Sequence, residues 1–234
     1  MAVTADAHPG TPGGTPGDVL TAESVVHRPP PHLRPFVHSA VGYRYEGFPP
    51  GIHRGLPSRH LSVVISLVGP IETTAPRDRS HSLVALASGL HAAPVTIHHD
   101  GTQHGIHLHF TPRGARRLFG MPASELAWEV VPLTDVLGVG DGLIGRLREA
   151  GSWDERFAVL DAALTRALDT AARVPEPRAE VAFAFERLVH TAGAVDVGAL
   201  AREVGWSRRH LAQQFRTEYG LTPKVVARVL RFER

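Results

Sequence analysis

Residues 195–234, VDVGALAREVGWSRRHLAQQFRTEYGLTPKVVARVLRFER, decide how this chain is read. Leu200, Ala201 and Val204 fall at i, i+1 and i+4, which makes one apolar stripe on a helix from about Val197 to Val204. Gly205 closes that helix, because glycine takes positive φ without a Cβ penalty. Ser207 then offers a side-chain oxygen to cap a second helix, expected to run to about Tyr219 and stop at Gly220. Leu211, Phe215 and Tyr219 form its inner face, and Trp206 is an anchor between the two helices. Its remaining surface carries Arg208, Arg209, Gln213, Gln214 and Arg216, guanidinium forks and amides able to pair with base edges and phosphates. Two helices, a tight glycine turn and a cationic second helix suit a DNA-reading helix-turn-helix. On these residues alone, an amphipathic pair with a solvated charged side fits as well.

Charge is distributed in the same sense. From Val195 to Arg234 there are eight Lys/Arg against four acids, a net of +4, while the whole chain of 234 residues is +2. Residues 1–194 therefore sum to −2, and the positive charge gathers where a phosphate backbone would lie.

The pattern that carries a resemblance is Leu200-Ala201 ahead of Gly205, Ser207-Arg208-Arg209-His210-Leu211, Phe215, Gly220-Leu221-Thr222-Pro223 and Arg228-Val229-Leu230-Arg231. Together these resemble the first DNA-binding subdomain of AraC/XylS-type transcription regulators. The resemblance implies that Gly-Leu-Thr-Pro ends the recognition helix and starts a linker helix. It assigns base reading to Arg208, Arg209, Gln213 and Arg216, and places Gln214 and Lys224 at phosphates or as bystanders. The family normally carries a second helix-turn-helix, and the sequence ends at Arg234 within the expected linker helix, before that second unit. The run HGIHLHFTPRGARRLFGMPASEL, residues 104–126, followed by VVPLTDVLG, residues 130–138, is similar to the sensor-type N-terminal domain of actinobacterial AraC-type proteins. That likeness covers about Pro30 to Ala172 and implies architecture without naming a ligand.

Upstream, residues 1–24 are rich in Ala, Thr, Pro and Gly and are expected to form a disordered tail. Six short segments then read as strands: Val37 to Tyr45, Leu61 to Val68, Ile71 to Thr74, Leu83 to Ser88, Val95 to His98 and Gly105 to Phe110. In LSVVISLV, Leu61, Val63, Ile65 and Leu67 share a core-facing side, while Ser62, Val64, Ser66 and Val68 face a cavity or solvent. A small antiparallel barrel or sandwich is expected, giving an α+β chain. Helices follow from Pro112 to Leu118, from Pro122 to Ala127, in a short turn after Thr134, and from Asp141 to Ala150. Ser152 and Glu155 then make a capping box for a helix with the stripe Phe157, Leu160, Leu164 and Leu168, which either packs internally or pairs with a second copy. VPEPR, residues 174–178, reads as a linker between a sensor or dimerisation unit, residues 25–173, and the DNA-binding unit, residues 179–234. The latter begins with a helix from about Ala179 to Thr191.

Fifteen histidines are unusual, and six lie between His91 and His109. Alternation puts His107 and His109 on one face of a strand, half of a metal site. Gly101 six residues earlier matches the opening of a cupin motif, but Phe110-Thr111-Pro112-Arg113-Gly114 follows where the motif needs a glutamate. Structural or solvent-facing imidazoles are therefore favoured over a metal site, with ligand hydrogen bonding or titration near neutral pH as a third reading.

The chain has no cysteine, which excludes disulfides, thiol redox chemistry and thiolate metal sites. No apolar run suits a membrane span, the N-terminus lacks signal-peptide regions, and a cytoplasmic protein is expected. Motifs of serine hydrolases, P-loop and dinucleotide-binding proteins and zinc proteases are missing. The reading is a non-enzymatic transcription regulator with no cofactor, whose partners are DNA, a small-molecule effector or a second copy. The alternatives are an interaction protein with weak DNA binding and a cupin-like metal enzyme built on His107 and His109.

Overall fold

The strand β4, Leu61–Ser66, alternates as its sequence predicts. Leu61, Val63 and Ile65 are buried in the main core, and Val64 on the opposite face packs in a second, smaller cluster. Around it the computed structural model, which describes residues 20–75, 79–138, 141–171 and 174–234, builds two antiparallel sheets. The larger has the order β1-β2-β9-β4-β7-β10, from β1 (Thr21–His27), β2 (Val37–Glu46), β9 (Gln103–Phe110), β4, β7 (Ala85–Ser88) and β10 (Val130–Pro132). The smaller is β3-β8-β5-β6, from β3 (Gly51–Gly55), β8 (Val95–His99), β5 (Ile71–Ala75) and β6 (Arg79–Leu83).

One face of the larger sheet is covered by helices α2 (Asp141–Glu149) and α3 (Trp153–Thr170). Ile106, Leu108 and Phe110 of β9 share a buried cluster with Leu143 and Leu147 of α2 and Phe157, Leu160 and Leu164 of α3. The capping box forms: Ser152 Oγ accepts from the Glu155 amide, and the Glu155 carboxylate accepts from the Ser152 amide. Of the two fates open to this helix, internal packing is the one observed. Gly42 permits the approach, because a Cβ there would lie 2.4 Å from the Trp153 ring.

The other face of the larger sheet turns towards the smaller sheet. Ala75 of β5, Leu86 of β7 and Val130 of β10 meet there with Val64, Ile71 and Leu83. The α+β class and the antiparallel β unit hold, but among the described residues ten strands form where six were expected. The segment from Leu83 to Ser88 is two strands, since Leu83 closes β6 and Ala85 opens β7 on the other sheet.

The expected tail boundary also moves. Residues 1–19 lie outside the described residues, but Thr21–His27 pairs along its length with β2. Two polar anchors hold that edge strand to α3. Trp153 Nε1 donates to Glu23 Oε1 at 2.9 Å, and His27 stacks on Phe157 while its Nε2 meets Asp161 at 3.0 Å.

After β9, a short turn α1 (Pro112–Gly114) runs into a π-helical turn, Ala115–Phe119, which ends at Gly120 with φ +69°. A 3-10 turn occupies Ala123–Leu126. Past residues 174–178, which form neither helix nor strand, come α4 (Ala179–His190), α5 (Val197–Glu203), α6 (Arg208–Tyr219) and α7 (Pro223–Phe232). Their buried faces join the same main core cluster as β4, β9 and α3, so hydrophobic packing is continuous across the expected linker.

Candidate nucleic-acid interface

The C-terminal helices follow from local sequence. Asp196 caps α5 by accepting from the Ala199 amide, and Gly205, at φ +71°, turns the chain away from it. Ser207 then accepts from the His210 amide at 3.2 Å and starts α6. Gly220, at φ +72°, ends α6 with its amide on Arg216 O, and Thr222 caps α7 with Pro223 in its first turn. Leu200, Leu211 and Phe215 are fully buried, and Tyr219 is nearly so, which fixes α6 against α5 through the face the spacing predicts. Trp206 is only half-buried. The Arg178 guanidinium lies 5.0 Å over its ring and His210 meets it edge-on.

The outward face of α6 presents Arg208, Arg209, Gln213 and Arg216, all exposed. Gln214 is half-buried, and Lys224 is exposed at the start of α7. Among the described residues none of these six side chains makes an intramolecular hydrogen bond or ion pair, whereas Arg187 pairs with Glu203 at 3.6 Å and Arg231 donates to Gly193 O at 2.6 Å. Arg208 differs from its neighbours in position. Its guanidinium lies against Gly198 of α5, where a Cβ would come within 2.2 Å of Nη2. That places its charge at the first turn of α5.

The opposite end of α6 is held by the β unit. Glu218, 6% exposed, accepts from Arg116 Nε at 2.7 Å and from Arg116 Nη2, making a two-pronged pair. Ser124 Oγ donates to Thr217 O at 2.7 Å, and a Cβ at Gly220 would lie 2.1 Å from that of Ala127. At the end of α7, Glu233 Oε1 accepts from Ser58 Oγ at 2.9 Å and from the Arg59 amide at 2.8 Å. Sequence reasoning missed these docking residues. Glu218 had a readable signal: it stands at i+7 from Leu211 and i+3 from Phe215, on the buried stripe, where an unpaired carboxylate would be costly.

His107 and His109 share the face of β9 that looks towards the smaller sheet, their ring centroids 4.2 Å apart. His109 Nδ1 lies 3.3 Å from Ser39 Oγ. Burial, with His109 and His53 nearby, holds the His107 imidazole neutral at a pKa of about 3. Burial and His38 hold His109 at about 4. His60 is lowered to about 2 by burial, then by His38, Arg59 and His109. Among the described residues no group of three His, Asp or Glu side chains is arranged to hold a metal ion. Beside the apolar cluster, the space between the sheets also holds polar groups. Thr73 Oγ1, His81 Nε2, Ser88 Oγ, His99 Nδ1 and His107 Nε2 are buried without a hydrogen-bond partner on the facing sides of the two sheets.

No helix among the described residues is long and apolar enough to cross a membrane. The sequence model of a family described as a domain of unknown function (DUF6597) matches residues 25–132, and no curated protein matches the chain. Among solved structures, the AraC-like transcriptional activator CuxR aligns at 18% identity over 91% of this chain and 79% of its own, with a TM-score of 0.36. ToxT from Vibrio cholerae aligns at 8% identity over 81% of this chain and 97% of its own, with a TM-score of 0.33. A cupin domain from Bordetella pertussis Tohama I aligns at 16% identity over 38% of this chain and 93% of its own, with a TM-score of 0.27.

Proposed function

We propose that this chain is a non-enzymatic, cytoplasmic transcription regulator of the AraC type. In this reading α6 enters the major groove, Arg209, Gln213 and Arg216 read base edges, and Arg208 and Lys224 contact phosphates. The observation that carries it is the outward face of α6: cationic and amide side chains, exposed and uncommitted, on a helix whose other face and cap are fixed. These guanidiniums are clear of carboxylates, whereas Arg116 and Arg187 are held in ion pairs. The β unit acts as the sensor or dimerisation part. The unpartnered polar atoms between its sheets support a small polar ligand as the thing sensed.

Selection of bound duplexes from a random-sequence pool, followed by affinity measurement at fixed salt, tests the reading. Arg209→Ala and Gln213→Ala are each expected to cost about 1–3 kcal/mol and to relax preference at one position. Unchanged affinity in both variants overturns the assignment.

A further inference from the structure

A row of imidazoles leads from the inside of the β unit to the helix that follows the DNA-facing one. His107, between the sheets, has its ring centroid 4.2 Å from His109. His109 meets His60 edge-on at 6.0 Å, and His60 stacks on His38 at 4.4 Å with an interplanar angle of 15°. The row has strands on both sides. His107 and His109 belong to β9, His38 to β2, and His60 sits at the turn that leads into β4.

The turn carrying His60 is the one that holds α7. The His60 amide donates to Ser58 Oγ at 3.1 Å, and Ser58 Oγ in turn donates to Glu233 Oε1. The Arg59 amide donates to the same Glu233 oxygen, and Arg59 Nε lies 3.8 Å from the other. Below these polar contacts, Ser58 and Arg59 close a small cleft with Leu90, Phe185, Leu221 and Val226. Leu221 and Val226 flank the cap that joins α6 to α7.

We propose that the row His107–His109–His60–His38 couples the interior of the β unit to α7, so that a group bound against His107 changes the grip of the Ser58–Arg59 turn on Glu233. This rests on the reading of that interior as a sensing site and of α6 as the DNA reader. Two features make the row suited to the task. The rings are flat, packed and in series, so displacing one moves the next, as close packing requires. The turn that carries His60 holds a single carboxylate by two donors, so a small shift there breaks both bonds together. Coupling of this kind is reciprocal: a change at Glu233 must be felt at His107 as strongly as the converse.

The test uses the full chain, with histidine rings labelled for NMR and amide exchange followed along α7, and it involves no DNA. Glu233→Gln is expected to move the ring signals of His38, His60, His109 and His107. His107→Gln is expected to lower exchange protection in Val225–Phe232 by about fivefold or more, the lower end of ordinary coupling. His60→Ala should uncouple the ends, so that Glu233→Gln no longer reaches His107, while His60→Phe, which keeps a flat ring, should preserve the connection. Ring shifts that stop at His60 in Glu233→Gln overturn the proposal. So does unchanged α7 protection in a folded His107→Gln protein. If that variant does not fold, the Glu233→Gln ring shifts with and without His60→Ala decide the matter. Failure here leaves the DNA-reading assignment of α6 standing, since affinity for duplexes is measured separately.

Discussion

Arg116, in the π-helical turn after β9, holds Glu218, the penultimate residue of α6, by two parallel N–H···O bonds, with 12% and 8% of the two side chains exposed. The guanidinium also donates to Pro175 O, so it ties together the β unit, the segment before α4 and α6. Removing one member of such a pair leaves the other charged and poorly solvated. Glu218→Ala is expected to cost about 3–5 kcal/mol in urea unfolding, whereas Arg116→Met with Glu218→Leu together should be close to neutral. A cost below about 1 kcal/mol for Glu218→Ala would show that the pair is solvated and contributes little.

Under the proposed DNA-reading role of α6, Ser207 separates stability from duplex affinity. Its hydroxyl caps α6, so Ser207→Ala should lose about 1 kcal/mol by chemical denaturation. Ser207→Asp keeps the cap and favours the positive end of the helix, so stability should return. The same carboxylate would face phosphates, and duplex binding should weaken although the fold is restored. Parallel recovery of both properties would argue against DNA lying at this end of α6.

Gly220 has two reasons to be glycine. Its φ of +72° disfavours a side chain, and a Cβ would meet Ala127 at 2.1 Å. Gly220→Ala is expected to destabilise by about 1–3 kcal/mol, from overpacking together with backbone strain. Ala127→Gly in the same chain removes the clash but not the strain, so it should restore part of the loss. Full restoration would mean that φ is not a constraint here, and thermal melting of the two variants beside the unaltered chain reads the difference.

Acid should unfold the protein through its histidines. His109, His107 and His60 are held neutral at about 4, 3 and 2, below the ordinary 6.5. Below pH 6.5 the unfolded chain takes up protons that these folded sites refuse, so it gains relative to the folded state. Stability is therefore full above about pH 6.5 and declines as pH falls towards each lowered value, by up to about 1.4 kcal/mol per pH unit for each residue. Replacing His107 by Leu should flatten the slope between pH 6 and 4 by about one residue's share, measured by urea midpoints across that range.

The helical half was legible because its signals are local. Ser152 with Glu155, Ser207, Gly205 and Gly220 each act within a turn, and each forms the cap or stop that its neighbours dictate. The three strands missed outright had no such marking. β3, GIHRG, is exposed or half-buried and has no apolar alternation, and β10 is three residues that pair only because β7 is beside them. β1 was hidden by the composition of the segment preceding it, and its place depends on Asp161 and Trp153, more than 120 residues away. The candidate interface divides the same way. The outward set on α6 follows from spacing, while the grip of Arg116, Ser124, Ser58 and Arg59 on the last two helices is tertiary.

The unbroken core has a consequence for how the molecule comes apart. Phe185, Leu188, Phe215 and Leu230 are buried in one cluster with Leu61, Ile106 and Leu160, so the last helices are not a detachable cassette strung on a tether. Nicking the chain between residues 174 and 178 should leave the two pieces associated. A fragment of residues 179–234 alone would bare part of that apolar surface to water, and heating the intact chain should melt both halves in a single step.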